Sequence, residues 1–467
     1  MADIYRLITA LAVFTLSGFA LIRMLDRKDE ASLTPAVKYC LSFLIGLGTI
    51  SLQMFLYSIV SLPYSFYSIA APWVAIGGLT LLKKTGVRPA DKGLGGKKSP
   101  VEIIFLLIIL SQAAYAFLYA TLLPVSGWDA WAIWFLKGRV FFMDKGVSEG
   151  FLLDKAFEYA HADYPLLMPL SIAWVFTTLG GANEMAAKAL FPLQFLSMLV
   201  VFYYIVNKAS GGRVAILFTA LISLTPIILV HGAGFPVKIG SLYAGDFVGY
   251  ADLSLAVYFL AAAGFIFLHL LEGKGLYVFF ASIFLGLGAW TKNEGLAFAA
   301  FGFLVMLLSL IGKRGGASKA VISAGVILLF ILPWYFYKSH YGIGSEYTGN
   351  IWAAPGNVDR LGLIIPRMLR YMFLNIGLYN FTWWAYIASI AVNYRGFFKG
   401  RNLFLNALIL FQLAVYIFAY VITPSDVVWQ MSTSLDRLIL HLAPLAMLAA
   451  AVNFGAFIGK DTEAGAG

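Results

Sequence analysis

The most regular pattern in the chain is a series of long apolar runs separated by short polar segments. Most runs hold roughly 17–25 residues with few charges, the length that an α-helix needs to cross the hydrocarbon core of a bilayer. The pattern predicts an all-α polytopic membrane protein with about thirteen transmembrane helices, at residues 4–21, 37–60, 67–82, 102–123, 185–206, 214–230, 251–270, 275–290, 295–311, 320–337, 375–392, 403–422 and 437–457.

Composition supports a membrane protein and excludes several other classes. The chain is 61% hydrophobic and 12% charged, whereas a soluble domain carries about 25% charged residues. Its single cysteine, Cys40, excludes a disulfide framework and a cysteine metal site. The first residues lack a basic segment and a small-residue cleavage site, so we expect a retained first span rather than a signal peptide.

Basic residues cluster in loops that alternate along the chain, and they predict its orientation. The basic loops are the segments 83–99, 207–213, 272–275, 312–319 and 393–402. The positive-inside rule places such loops in the cytoplasm and the remaining loops outside. The net charge of +10 is therefore explained by topology, and we expect membrane lipids rather than nucleic acid as partners.

The spacing of the spans predicts two units. Residues 1–100 form a three-helix N-terminal membrane unit with a basic cytoplasmic linker, and residues 101–467 form the main membrane domain. In that domain, residues 124–184 form a long outer loop. Its apolar segment 164–181 is too short for a span. If it crossed the membrane, every later basic loop would lie on the outer side. We expect it to be an interfacial or re-entrant helix on the outer side.

The outer loop places one carboxylate among aromatic residues. Asp129 lies between Trp128 and Trp131, with Trp134 further along. Tryptophans here are typical of an aromatic belt at the membrane surface, and Asp129 would then cap an interfacial helix. A carboxylate beside apolar rings also suits a general base, because desolvation strengthens its hold on a proton. Both interpretations are open at this point.

Two further outer segments place polar residues beside predicted spans. Asp163 either caps the helix that follows it or lies with His161 and Tyr164 over a cavity. Lys292 and Glu294 form either a solvated pair in a hairpin turn or a turn below the membrane surface. Non-helical backbone is tolerated there when it lines a cavity, and Lys292 would then be a cation for a phosphate.

Two more charged residues begin predicted spans at their outer ends. Asp252 is favoured as a helix cap. Arg437 departs from the positive-inside trend, which indicates a specific partner. It either pairs with Asp436 or Asp426, or binds an anion such as phosphate through its two-pronged guanidinium.

These features resemble the GT-C glycosyltransferases. The chain has an Asp in the first outer loop, Tyr164-Pro165 before a membrane helix, later YAD and TK..G turns, and an outer Arg near its end. From about residue 102 onward, the layout is most similar to the protein O-mannosyltransferase-like (family 39) enzymes and the lipid A aminoarabinose transferases.

The resemblance implies a GT-C-like bundle and an activity in the cell envelope. Such enzymes move a sugar from a polyprenyl-phosphate carrier to a glycan, lipid or protein acceptor on the non-cytoplasmic side. By that match Asp129 is the base, and Lys292 and Arg437 lie near the carrier phosphate. The other candidates for the substrate site are His161, Asp163, Tyr164, Asp252 and Glu294.

The chemistry of this transfer is simple enough for so few charged residues. A lipid phosphate leaves readily when fixed cations meet its developing charge, and one carboxylate suffices to take the acceptor's proton. The acids with His161 and His231 offer ligands for a divalent cation, but their spacing is not that of a metal site, so we expect no cofactor. The expected location is a prokaryotic cytoplasmic membrane, with the site facing outward.

Two other classes of protein remain as alternatives. A secondary transporter would use the same charges as coupling sites, and it would show two similar halves with broken helices in corresponding positions. The sequence shows no convincing internal repeat. A scaffold protein of the cell envelope would need none of the outer charged residues.

Overall fold

A computed structural model describes residues 2–25, 33–82, 99–122, 124–234, 237–239, 242–244, 248–345 and 347–464. Within these ranges the chain is helical, apart from one antiparallel hairpin of β1 (Val237–Ile239) and β2 (Leu242–Ala244), in which Lys238 pairs with Tyr243. The predicted all-α fold class is confirmed. The basic linker at 83–98 lies outside the described residues.

The first half of the chain alternates long helices with the short helices of the outer loop. A π-helix spans Ala130–Phe135 and a 3₁₀-helix spans Lys155–Ala160. The α-helices are α1 (Ala2–Leu25), α2 (Pro35–Ile59), α3 (Phe66–Leu82), α4 (Pro100–Leu122), α5 (Leu136–Met143), α6 (Glu149–Leu153), α7 (Leu167–Leu179), α8 (Glu184–Ala187), α9 (Leu190–Ser210), α10 (Gly212–Ser223) and α11 (Pro226–Ala233).

The second half is dominated by long apolar helices. A 3₁₀-helix spans Thr348–Arg360 and leads into an amphipathic surface helix. The α-helices are α12 (Asp252–Glu272), α13 (Gly275–Thr291), α14 (Glu294–Leu310), α15 (Gly316–Tyr341), α16 (Leu361–Leu374), α17 (Ile376–Tyr379), α18 (Thr382–Val392), α19 (Tyr394–Phe397), α20 (Gly400–Ile422) and α21 (Val427–Ala464).

The protein is a multi-pass membrane protein, but its span count differs from the predicted thirteen. In the described part of the chain, eight helices are long and apolar enough to cross a membrane. A ninth span results if α10 and α11, which meet at an angle of 67°, count together. Several predicted spans fall on shorter apolar helices of 10–17 residues, among them α13, α14 and α18. The number thirteen is therefore not confirmed.

Helix α12 lies at the centre of the bundle. Every residue from Asp252 to His269 is buried, and the helix packs against α9, α13 and α21. A helix that is apolar on all sides is buried, and the Ala and Gly residues of α12 allow neighbouring helices to approach closely. The absence of a Cβ at Gly264 leaves room for the side chain of Ile205 from α9.

The three N-terminal helices pack directly onto the rest of the bundle. Tyr258 of α12 donates a hydrogen bond to the Leu44 carbonyl of α2 at 3.2 Å. Trp290 of α13 donates to the Ser51 hydroxyl, also in α2, at 3.0 Å. These contacts fix α2 against the central helices, while the predicted unit boundary near residue 100 stays a prediction.

The short apolar segment after the outer loop forms α7. It has 13 residues and buries nearly all of them, packing against α1, α2 and α5. Trp174 donates to the Ala10 carbonyl of α1 at 3.1 Å. Other helices therefore cover α7 on all sides, unlike an amphipathic helix that lies free on the membrane surface. The interfacial or re-entrant position on the outer side stays a prediction.

The predicted inner and outer loops lie at opposite ends of the bundle. Helix α12 has 21 residues and is therefore about 30 Å long. Its first residue, Asp252, contacts Lys292 and His441. Its last turn, at Leu271, shares a pocket with Ala209 and Lys399 from two of the basic loops. This arrangement agrees with the alternation of basic loops along the sequence.

Candidate functional site

The first outer loop and the last helix meet at an ion pair. Asp129 lies immediately before the π-helix, and its side chain makes no capping hydrogen bond there. Its carboxylate instead pairs with the guanidinium of Arg437 in α21, 308 residues later. The side chains of Asp129 and Arg437 are 18% and 12% exposed. The pair is therefore accessible at the margin of a buried interior, and the helix-cap interpretation of Asp129 is wrong.

The Arg437 guanidinium is held from three further directions. One nitrogen donates to the Thr433 carbonyl one turn earlier at 2.6 Å. The guanidinium lies over the ring of Tyr250, 5.2 Å from its centroid, a favourable cation–π distance. The nitrogen that pairs with Asp129 also lies 3.8 Å from Asp252 Oδ2. Tyr250 also accepts a hydrogen bond of 3.3 Å from the backbone N–H of Asp129, so it joins both sides of the ion pair.

The two acids expected as alternative partners of Arg437 act elsewhere. The Asp436 carboxylate accepts from the backbone N–H of Arg437 at 2.9 Å. The Asp426 carboxylate accepts from the backbone N–H of Trp429 at 2.8 Å, near the start of α21. In the part of the chain that the structure describes, neither carboxylate lies within ion-pair distance of the guanidinium. The predicted structural pairing of Arg437 with Asp436 or Asp426 is wrong.

Asp252 is the buried centre of the site. Its Oδ1 accepts from Lys292 Nζ at 2.9 Å and lies 2.9 Å from His441 Nε2. Asp252 and His441 are fully buried. A carboxylate accepts hydrogen bonds, so Nε2 carries the proton and Nδ1 accepts from the Tyr416 hydroxyl, 2.9 Å away. Asp252 makes no capping contact at the start of α12, and the cap interpretation is therefore wrong.

Lys292 occupies the turn between α13 and α14, below the surface. Its side chain is 6% exposed and pairs with Asp252 at 2.9 Å and with Glu294 at 3.3 Å. Gln412 of α20 donates to the Glu294 carbonyl at 3.2 Å and fixes the turn. The solvated hairpin pair is therefore wrong, and the turn is buried. A buried cation needs such paired carboxylates because losing hydration is costly.

The turn also connects with the motif before α7. Asn293 donates to Asp163 Oδ2 at 2.9 Å, and Lys338 of α15 donates to the Asp163 carbonyl at 3.3 Å. Helix α7 begins at Leu167 without a side-chain cap. Asp163 is therefore not the cap of α7; it joins the outer loop to the turn that carries Lys292.

Tyr164 lies in an aromatic stack beside the two charged clusters. Its ring lies between Trp134, with a centroid separation of 5.7 Å, and His161, at 4.8 Å. The Nζ atoms of Lys137 and Lys292 lie 5.9 and 5.8 Å from the ring centroid. Burial raises the pKa of the Tyr164 hydroxyl well above its usual value, so the hydroxyl stays protonated. Tyr164 thus contributes a neutral aromatic ring within 6 Å of two lysine side chains.

The aromatic residues around Asp129 divide into two groups. Trp128 and Trp131 are 61% and 56% exposed, whereas Trp134 is fully buried. Exposed tryptophans at the end of a bundle are typical of a membrane-interface belt. The buried Trp134 instead supports Tyr164, so only part of the aromatic segment has the position expected for a belt.

Lys137 is a buried cation that sequence reasoning did not identify. It is fully buried in α5 and donates to the His161 carbonyl at 2.5 Å. Burial lowers the pKa of its ammonium to about 7, and the nearby Asp163 carboxylate opposes that shift. The signal for Lys137 was a lysine in an apolar aromatic segment, but its neighbours lie across the loop and could not be deduced from spacing.

Sequence reasoning also does not identify Tyr416, Tyr250 and His441 as members of the site. All three were visible only as polar atoms within or beside apolar runs, a pattern that indicates a cavity or a partner but does not identify it.

In the part of the chain that the structure describes, no three His, Cys, Asp or Glu side chains are arranged to hold a metal ion. His231 lies against Tyr250 at a ring separation of 5.8 Å.

The site contains one ion pair that an entering ligand can separate and a second ion pair that stays in place. The Asp129–Arg437 pair is partly exposed, whereas the Asp252–Lys292 pair is buried. An entering anion can reach Arg437, where it would compete with the Asp129 carboxylate. The buried pair instead keeps Lys292 in place, because separating it would leave an uncompensated charge.

Comparisons with known proteins identify distant structural likenesses. No family model matches the chain, and neither does any curated protein. The chain is similar to the Archaeoglobus fulgidus oligosaccharyltransferase solved in complex with zinc and sulfate, with 13% identity and a TM-score of 0.43 over 77% of this chain and 49% of that one.

It is also similar to the archaeal oligosaccharyltransferase AglB from Archaeoglobus fulgidus, solved in complex with an inhibitory peptide and a dolichol-phosphate. Here the identity is 12% and the TM-score 0.42, over 77% of this chain and 51% of that one. The chain spans about half the length of the solved proteins that it matches.

Proposed function

We propose that this protein is a GT-C-type membrane glycosyltransferase that moves a sugar from a polyprenyl-phosphate carrier to an acceptor. One observation carries the proposal: Asp129 pairs with Arg437, and Arg437 approaches the same Asp252 that binds Lys292. A candidate base and two cations from three distant parts of the chain thus meet in one cluster.

The transfer would be a single displacement with inversion at the sugar. Asp129 takes the proton of the acceptor hydroxyl as the acceptor oxygen forms its bond to the anomeric carbon. The bond from that carbon to the phosphate oxygen breaks, and its electron pair leaves with the phosphate. Arg437 binds the departing phosphate and Lys292 adds a fixed positive charge, which stabilises the charge that develops on the leaving group.

Asp252 would hold the cations rather than react. It is fully buried and contacts both Lys292 and His441, so it is out of reach of an acceptor. Asp163, Tyr164, His161 and Glu294 would form the surrounding wall of the substrate site.

The assay for this activity is sugar transfer from a defined carrier. The purified protein in lipid vesicles is incubated with polyprenyl-phosphate sugars carrying a radiolabel in the sugar. We expect release or transfer of the label, inverted anomeric configuration in the product, and loss of both in Asp129→Asn. Asp154→Asn is a matched control, since Asp154 lies in the same loop and caps the 3₁₀-helix. The proposal would be contradicted if none of the polyprenyl-phosphate sugars released or transferred its labelled sugar.

The proposal places the site on the non-cytoplasmic side of a prokaryotic cytoplasmic membrane. Single cysteines in place of Asp154 and Lys92 test this orientation with an impermeant thiol reagent in intact cells. We expect the cysteine at position 154 to react and that at position 92, in the basic linker, to be protected. The reverse pattern would invert the topology and place the site inside.

A secondary transporter is the second candidate, and the bend between α10 and α11 favours it. The two helices meet at 67° around Thr225, and broken helices line the substrate sites of many transporters. No second bent pair of this kind is present in the described ranges. Solute uptake by the same vesicles, without chemical change of any polyprenyl-phosphate sugar, would favour this candidate over the enzyme.

A further inference from the structure

A pocket lies at the end of the bundle opposite Asp129. Its volume is about 280 Å³, and it is formed where α9, α12 and α21 meet the segment before α20. Val452 of α21 lines it, 15 residues after Arg437, which corresponds to about 20 Å along the helix. The pocket is therefore separate from the candidate glycosyltransferase site.

The pocket combines an apolar wall with a cationic rim. Phe267 and Leu271 of α12 and Val452 form the wall, and Lys399 and Arg401 lie at the rim. Both cations are exposed. In the described part of the chain, no carboxylate lies within ion-pair distance of either one. This distribution of charge suits a ligand with both an anionic and an apolar part.

Two polar features point into the same space. Asn393 lines the pocket and is only 7% exposed, and its side-chain amide has no hydrogen-bond partner among the described residues. Buried amides are normally paired, so this one is available to a ligand. Helix α20 begins at Gly400 without a side-chain cap, and the free N–H groups of its first turn favour an anion.

We propose that this pocket binds the phosphodiester headgroup of an anionic membrane lipid. Lys399, Arg401 and the first turn of α20 would hold the phosphate, and Asn393 would donate a hydrogen bond to it. The lipid chains would extend over the adjacent apolar surface, where large side chains are exposed. Those side chains are Phe398 at 65%, Leu403 at 46% and Phe457 at 40%.

A membrane lipid fits this pocket better than a soluble anion. The pocket lies between helix ends on the face that carries the basic loops, where pockets of this kind bind anionic headgroups. A free phosphate would gain nothing from the exposed Phe398, Leu403 and Phe457, whereas the chains of a lipid would cover these apolar side chains.

The test is lipid retention measured by native mass spectrometry. The full chain is reconstituted in vesicles of equal parts phosphatidylglycerol and phosphatidylcholine, released in mild detergent, and compared with Lys399→Ala/Arg401→Ala. The matched control is Lys313→Ala/Arg314→Ala, which removes two exposed cations from another basic loop of the chain. Each cation near the membrane surface is worth about fivefold in binding, so both together predict a roughly thirtyfold loss.

We expect the wild type and the control to retain one phosphatidylglycerol that the pocket variant loses, with phosphatidylcholine retained equally by all three. Equal losses in the pocket variant and the control would mean diffuse attraction and overturn the proposal. Displacement of the lipid by glycerol phosphate at concentrations near that of the lipid would assign the site to a soluble anion instead. Neither result depends on the glycosyltransferase activity, because that site lies at the other end of the bundle.

Discussion

Replacing Asp129 by Asn tests whether its carboxylate and the donor phosphate compete for Arg437. The carboxylate is bound to the guanidinium that the proposal assigns to the phosphate. The donor would therefore displace Asp129 when it binds, and the base would become free only once the donor is in place. The substitution removes the negative charge but keeps the size of the side chain, so it should tighten donor binding while it abolishes transfer.

The size of both effects follows from the contact. A hydrogen bond to a charged group contributes about 1.5–3 kcal/mol. The Asn amide oxygen can still accept a hydrogen bond from Arg437, so the substitution weakens the contact that the donor must displace by only about 1.4 kcal/mol. That difference corresponds to roughly tenfold tighter donor binding. Loss of the base should lower the transfer rate by about 10²–10⁴-fold. The fold should persist, since Arg437 keeps Asp252 as a neighbour at 3.8 Å.

The assay compares donor affinity with transfer rate in three proteins. Binding of a radiolabelled polyprenyl-phosphate sugar is measured for wild type, Asp129→Asn and Asp426→Asn. Asp426 is a suitable control because it is exposed and immediately precedes α21, and among the described residues its carboxylate accepts only from the Trp429 backbone. It undergoes the same change of charge without touching Arg437.

Two results would refute the reasoning. Donor affinity of Asp129→Asn equal to that of Asp426→Asn would show that Asp129 does not compete with the phosphate. A transfer rate within a few-fold of wild type would remove Asp129 from the role of base, whatever the donor affinity.

Three further changes test the other charged groups. Arg437→Ala should weaken donor binding, and Arg437→Lys should restore it only in part because the two-pronged contact is lost. Asp436→Ala should leave donor binding unchanged. Equal losses of donor affinity and thermal stability in Arg437→Ala and Asp436→Ala would make both residues structural. Lys292→Met should destabilise the protein by about 3–5 kcal/mol, because the negative charge of Asp252 stays buried without the Lys292 ammonium beside it. An unchanged thermal midpoint in detergent would argue against the Asp252–Lys292 pairing. The pKa of Lys137 is about 7 in the folded protein, below its ordinary value of 10.5. Between pH 7 and 10.5 the unfolded chain therefore binds more protons than the folded protein, so stability should rise with pH across that range. A thermal midpoint that rises equally in Lys137→Met would assign the trend to another group.

The helical fold could be predicted from the sequence because hydropathy alone reports it. Long runs such as α12 have no charge between Asp252 and His269, and an α-helix of that length satisfies its own backbone hydrogen bonds in a bilayer. The number of spans could not be predicted as well. Helices α13 and α14 have 17 residues each, a length at which apolar content does not distinguish a span from a short buried helix.

The members of the site were largely predictable, but their partners were not. Asp129, Lys292 and Arg437 stood out as charges beside apolar runs. Their pairing depends on packing between helices far apart in sequence, as the 308-residue separation of Asp129 and Arg437 shows. For the same reason the sequence favours Asp252 as a helix cap, because its contact with His441 depends on α21 lying against α12.

The π-helix at Ala130–Phe135 makes the site sensitive to chain length rather than to side-chain identity alone. A π-helical turn bonds residue i to i+5, so it accommodates one residue more than an α-helical turn. Deleting any single residue there would let a regular α-helix form without a loss of backbone hydrogen bonds. It would also rotate Asp129 by about 100° relative to α5, turning its carboxylate away from Arg437. The extra residue thus sets the rotation of Asp129 relative to α5, and related chains that keep this site should have no insertion or deletion in this segment.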